Sequence, residues 1–189
     1  MTSLLPTVPG PTFGDIFATG NLLRWHSAAQ AGTQTLADHL AKVALLADRL
    51  GRYLPESYDD AVAYETLLLA LQHDLPETEH GDIPNPAKRW LNNHLLRPYD
   101  DMVAEDWWLE RGQEVPQYSP LAVALVKVAD ILEAAARYWV YGLDREKAQT
   151  VVFEVGVTTR RVLPELLPVV AQALTDAGVA PELVAEIAA

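Results

Sequence analysis

An all-α fold is predicted by three features of this sequence. Apolar residues recur three and four apart over several long segments, and no stretch sustains the strict alternation of a half-buried strand. Those segments are punctuated by prolines and by Ser, Thr or Asp at positions where helices start. At 189 residues, half of them apolar, the chain has enough material to bury a core without covalent staples. The expectation is one helical bundle of roughly six to nine helices, with residues 1–11 as an extended N-terminal arm and 12–189 as a single domain.

The arm is read from three prolines and a glycine between Met1 and Pro11. Thr12 is placed to cap a short helix through Phe13, Ile16 and Phe17, which Gly20 and Asn21 end. Arg24, Trp25 and His26 follow in a loop or short turn. From Thr35 to about Leu50, residues Leu36, Leu40, Val43, Ala47 and Leu50 form one apolar stripe, with Asp38, Lys42 and Arg49 opposite. At about 100 degrees per residue His39 falls inside that stripe, so its ring points inward.

A second helix is expected from Ser57 to about Asp74. Its run Leu67-Leu68-Leu69-Ala70-Leu71 is apolar on every side, which predicts a central, buried helix. Pro76 disfavours helical geometry at Leu75, so His73 and Asp74 stand at the helix end. Pro86 is well placed to open a long helix toward Arg111, packed through Trp90, Leu91, Leu95, Met102 and Val103. The pair Trp107-Trp108 suits either an interface or a core.

Ser119-Pro120 opens the next helix, with Leu121, Leu125, Val128, Leu132 and Trp139 on one face. Asp130 lies across from that stripe, among Val123, Val126, Lys127 and Ala134. Asp144 to Val162 reads as helix. Pro164 and Pro168 interrupt, and Glu165–Ala177 and Pro181–Ala188 close the chain.

Composition narrows the function. A formal net charge of −12 opposes broad binding to a nucleic acid polymer or an anionic membrane, since both need a basic surface. No apolar run approaches the roughly 20 residues of a membrane span, and no basic n-region precedes Leu4 and Leu5, so a cytoplasmic protein is expected. With no cysteine, metal ligands must be histidine, carboxylate or backbone.

Gln72 to Pro84 crowds six ionisable side chains between a greasy helix and a proline-broken loop. His39 and His73 on different helices, with Asp74 and the later Asp130, supply the nitrogen and oxygen ligands that divalent ions take. Each also has an ordinary reading. His39 alone fits a hydrogen-bonded core histidine, Asp130 fits an ion pair with Lys127, and His73-Asp74 fits a polar exit from the core.

Five words in order, Arg24-Trp25-His26, Gln34-Thr35-Leu36-Ala37-Asp38-His39, His73-Asp74-Leu75-Pro76-Glu77, Gly81-Asp82-Ile83-Pro84-Asn85-Pro86-Ala87-Lys88 and Lys127-Val128-Ala129-Asp130, resemble the HD-domain phosphohydrolases. Within them the chain looks most like the YfbR-type 5'-deoxynucleotidases and their phage relatives, which include dATP triphosphohydrolases. The resemblance runs from about Asn21 to Asp130. It implies a single HD-type helical domain whose divalent metal (Zn, Co, Mn or Mg) is held by His39, His73, Asp74 and Asp130. It further implies that Glu77 positions or deprotonates the attacking water, Arg24 meets phosphate, Trp25 meets sugar or base, and Asp82 lies near the deoxyribose. Lys88 and Lys127 match lysines near phosphate, and a homo-oligomer is favoured. No role attaches to Asp38, Glu79 or His80, and the C-terminal third carries no matching motif.

The chemistry suits that assignment. Phosphate monoesters hydrolyse so slowly that enhancements of order 10²¹ are needed, and a divalent ion supplies much of this. A carboxylate in a partly dry pocket is raised toward general-base range, and the Arg24 fork matches phosphate. The expected activity is removal of 5'-phosphate from deoxyribonucleotides, as a dNMP nucleotidase or a dNTP triphosphohydrolase. The alternatives are a phosphohydrolase acting on a cyclic nucleotide or an alarmone, and a non-catalytic helical interaction protein.

Overall fold

The computed structural model describes residues 10–24 and 31–188, the side chain of Asn85 excepted. The arm read over 1–11, apart from Gly10 and Pro11, and the residues Trp25 and His26 lie outside that range. Among the described residues, nine helices of six residues or more are joined by one single-turn helix and a two-stranded ribbon, so the all-α expectation holds.

The first helix, α1 (Phe13–Ala18), starts at a full capping box between Thr12 and Asp15, which satisfies two of its orphan donors. Strands β1 (Leu23–Arg24) and β2 (Gln34–Thr35) then pair antiparallel, with Arg24 opposite Gln34. A loop was expected at Arg24; two residues are too short a strand for periodicity to reveal. Thr35 caps α2 (Leu36–Gly51). The stripe read from sequence is buried in it, and His39 is 0% exposed.

Helix α3 (Asp60–Gln72) is capped by Asp59 and ends just before His73. The expectation of a central helix is corrected here. Thr66 and Ala70 are buried, whereas Leu67 is 37% and Leu71 46% exposed. The helix packs on α2 and on α7 (Pro120–Tyr141), and two neighbours on one side leave the other side open. The single turn α4 (Glu77–His80) follows Pro76.

The long helix expected from Pro86 to Arg111 is two helices, α5 (Asn85–Asn92) and α6 (Tyr99–Glu110). Pro98 lacks the N–H a continuous helix needs and bars helical geometry at Arg97, and Asn92 Oδ1 accepts the freed Tyr99 N–H at 2.7 Å. Trp90 is consequently 61% exposed and stacks on His94. Trp107 and Trp108 instead meet edge to face inside a small core with Leu36, Leu40 and Leu75, so packing accounts for that pair.

Ser119 caps α7, and Asp144 caps α8 (Arg145–Val162). A 3₁₀ turn (Pro164–Leu166), α9 (Leu167–Asp176) and α10 (Pro181–Ala188) complete the chain. The larger core is centred on α7, where Leu125, Val128 and Leu132 meet α2, α3 and α8. No helix among the described residues is long and apolar enough to cross a membrane.

Candidate metal and active site

Four polar side chains from α2, α7 and the end of α3 converge beside the larger core. His39 Nε2 lies 3.4 Å from Asp74 Oδ2 and 3.4 Å from Asp130 Oδ1. His73 Nε2 lies 3.4 Å from the same Asp74 oxygen, and the two rings are 5.5 Å apart. One ligand atom each of His39, His73 and Asp130 can be chosen so that all fall within 4.8 Å of one another. The structure thus brings together the four residues that the sequence put on three separate segments.

Each ring is aimed by its other nitrogen. His73 Nδ1 donates to the Ala70 carbonyl at 2.9 Å, a bond available because the end of α3 leaves carbonyls unpaired. His39 Nδ1 is 2.9 Å from Glu133 Oε2. Both Nε2 atoms are then buried with no hydrogen-bond partner among the described residues. Two buried, unpartnered imidazole nitrogens facing two carboxylates form a donor set that fits a divalent cation.

The ionisable groups of the cluster shift one another's protonation. Burial opposes a charge on Asp74, yet His73, His39 and Arg24 around it hold its carboxyl well below the usual range. Burial also opposes a proton on His39, but the carboxylates of Asp74 and Glu133 beside it outweigh burial and raise the ring to about 9. Glu77 moves the other way. Burial first, and then the neighbouring Asp74 charge, push it up to about 8.

Arg24 reaches in from β1, ion-pairing directly with Asp74 and lying 3.9 Å from Glu77 Oε2. Lys88, from α5, sits 3.6 Å from Glu77 Oε1 and 3.0 Å from Asp100 Oδ1. Lys127 is 3.9 Å from Asp130 Oδ2 and 56% exposed, so the ordinary ion-pair reading describes it as it stands. Asp82 lines the same cleft as Arg24, His73, Asp74, Glu77, Lys88, Lys127 and Asp130. That cleft has a volume of about 520 Å³, within the range of small-molecule sites.

Sequence reading missed a residue next to this cluster. Glu133, 4% exposed, accepts from Gln34 Nε2 at 2.7 Å as well as meeting His39. It stands three residues after Asp130, on the same side of α7, and a carboxylate in that row was the available signal. Glu79, left without a task, pairs with Arg111 at 2.6 Å, and Arg111 also grips Asp15 of α1 at 2.6 Å.

Known proteins resemble this chain in sequence and in fold. Residues 15–106 match the family model described as 5'-deoxynucleotidase YfbR-like. A dATP triphosphohydrolase of Salmonella phage PMBT28 is 32% identical over 130 residues, 66% of this chain and 63% of the relative. One from Acinetobacter phage SH-Ab 15497 is 26% identical over 72% of this chain and 70% of the relative. 5'-Deoxynucleotidase YfbR of Escherichia coli O127:H6 is 28% identical over 58% of this chain and 61% of the relative. The chain therefore spans about three-fifths of the length of the first and third of these relatives. The cyanophage S-2L HD phosphohydrolase DatZ, solved with dA and one catalytic Zn²⁺ ion, superposes with a TM-score of 0.59 at 21% identity, covering 95% of this chain and 94% of that one. The chain thus shares its fold along nearly its whole length with the cyanophage protein, and it is similar to the YfbR-like 5'-deoxynucleotidases through the segment that carries Arg24, His39, His73-Asp74 and Glu77.

Proposed function

We propose that this protein is a metal-dependent phosphohydrolase that removes 5'-phosphate from deoxyribonucleotides, with His39, His73, Asp74 and Asp130 as the metal ligands. The observation that carries the reading is the pair of buried, unpartnered Nε2 atoms on His39 and His73, set against Asp74 and Asp130 with Glu77 alongside. A core histidine with no other task would have found a hydrogen bond. Relatives that are named dATP triphosphohydrolases and a 5'-deoxynucleotidase, and a fold relative solved with dA and zinc, support the substrate class and a divalent cation such as Zn, Co, Mn or Mg.

When bound, such an ion supplies Lewis acidity toward the phosphoryl oxygens and lowers the pKa of water. The chain's own residues supply the rest. Glu77 Oε2 is buried without a hydrogen-bond partner, so it is free to accept a proton from the attacking water. Arg24 and Lys88 are the cations nearest that carboxylate, placed to bind phosphate oxygens and to neutralise charge as the P–O bond breaks. Asp82, in the cleft lining, takes the deoxyribose, and the base or sugar falls to Trp25 by resemblance alone. Lys127, at the rim, meets phosphate from solvent.

We read residues 12–189 as one HD-type domain in a cytoplasmic homo-oligomer. The exposed apolar side chains Leu45, Val140 and Tyr141, which line one shallow depression, support the association, since grouped apolar surface favours an interface.

Purified protein loaded in turn with Mn, Co, Zn or Mg and incubated with dNMP, dNDP, dNTP and ribonucleotides is the test. Deoxynucleoside with orthophosphate from dNMP marks a nucleotidase, and tripolyphosphate from dNTP marks a triphosphohydrolase. His73→Ala and Asp74→Ala should lose both metal and turnover. Failure of every deoxynucleotide to react would overturn the substrate class, and full activity in the two variants would overturn the site.

A further inference from the structure

Glu133 is a carboxylate that the cleft does not use. It is 4% exposed inside a helical bundle, where a charge is costly unless fully paired. Its pairing is complete on both oxygens: Oε2 meets His39 Nδ1 at 2.9 Å, and Oε1 accepts from Gln34 Nε2 at 2.7 Å with Lys42 Nζ at 3.9 Å. An apolar side chain of similar volume would serve packing at least as well, so the carboxylate has another use. An ionised carboxylate only accepts, which puts a hydrogen on His39 Nδ1 and presents Nε2 to Asp74 and Asp130.

We infer that Glu133 is a positioning residue for the metal centre, fixing the tautomer and ring plane of His39 from the side remote from the ion. Gln34 extends the linkage. It stands opposite Arg24 in the β1–β2 ribbon, so the Glu133 carboxylate joins the strand pair that carries the phosphate-facing arginine to the helix that carries the first ligand. The inference rests on His39 being a ligand, as proposed above.

The test uses metal-stripped full-length protein and Co²⁺. Affinity is read by competition with a chromophoric chelator, the d–d absorption of the bound ion is recorded, and thermal unfolding of the metal-free form serves as control. Glu133→Gln keeps the shape, but it removes the charge and turns one of the two oxygens that face His39 Nδ1 and Gln34 Nε2 into an NH2 donor. Outer-shell partners of metal-bound histidines are worth about 10–100-fold in affinity, so Glu133→Gln should weaken Co²⁺ by about that factor and change its absorption envelope. Gln34→Ala, which leaves the carboxylate on His39, should weaken it by a smaller factor. Wild-type affinity and spectrum in a folded Glu133→Gln would overturn the inference while leaving the ligand assignment intact. Absence of Co²⁺ binding in the wild type would overturn the ligand assignment itself.

Discussion

Glu77 and Asp74 lie three residues apart and are pushed in opposite directions. Cations surround Asp74 and keep it ionised, whereas burial and the adjacent Asp74 charge hold Glu77 up to about 8 in the metal-free protein. Divergent values in neighbouring carboxylates separate a ligand from a base. A base works only when ionised, so turnover should rise with pH on the acidic side. A bound cation favours the carboxylate, which places the midpoint of that limb below about 8. An acidic limb that Glu77→Gln leaves unmoved would remove Glu77 as the base. Glu77→Gln should lower kcat by about 10²–10⁴ with metal content unchanged. His39 yields a separate expectation. Because its ring is raised to about 9, it is protonated at neutral pH without metal, and binding must expel that proton. Calorimetric metal titrations at pH 7 in buffers of different ionisation enthalpy should report proton release, and its absence would remove His39 from the ligand set.

At the scale of elements, the short pieces around the site are held by polar clamps because they are too small to be held by burial. Arg111, just past α6, takes Asp15 of α1 through two nitrogens and Glu79 of α4 through one, with its guanidinium 3.8 Å from the centre of the Trp107 ring. Its hydrogen bond to Asp15 is the main reason that carboxyl is lowered to about 2 from 3.8. A depressed folded value means that the contribution to stability is complete above 3.8 and is lost as pH falls through about 2. Asp15→Asn should therefore destabilise the protein at pH 6, by on the order of 1 kcal/mol after solvent screening. The gap to wild type should close between pH 4 and pH 2 in thermal melts. A gap that persists at pH 2 would assign the effect to something other than this ion pair.

At the scale of the molecule, the proposed ligands tie α2, α3 and α7 together at the edge of the larger core. A ligand that binds only the folded state stabilises it by about 2.7 kcal/mol at a concentration 100 times its dissociation constant. Adding the cognate metal should raise Tm and a chelator should lower it. His73→Ala should abolish the response. A Tm indifferent to metal in the wild type would argue that the four residues form only an internal ion network.

The sequence by itself determined the helical class, the inward turn of His39 and the caps at Thr12 and Ser119, because helical periodicity and capping are local physics. It also determined the candidate ligand set, since the words that carry it stand in a recognisable order. It misjudged α3, whose apolar residues gave no hint of how many neighbours would cover them. It also ran α5 and α6 together by passing over Pro98. Only the tertiary structure decided that Glu133 and Gln34 stand behind His39, that Arg111 joins α1 to α4, and that both Nε2 atoms lack partners. Those facts depend on side chains separated by 94 and 99 positions along the chain for Glu133 and by 96 and 32 for Arg111. Packing alone sets such distances.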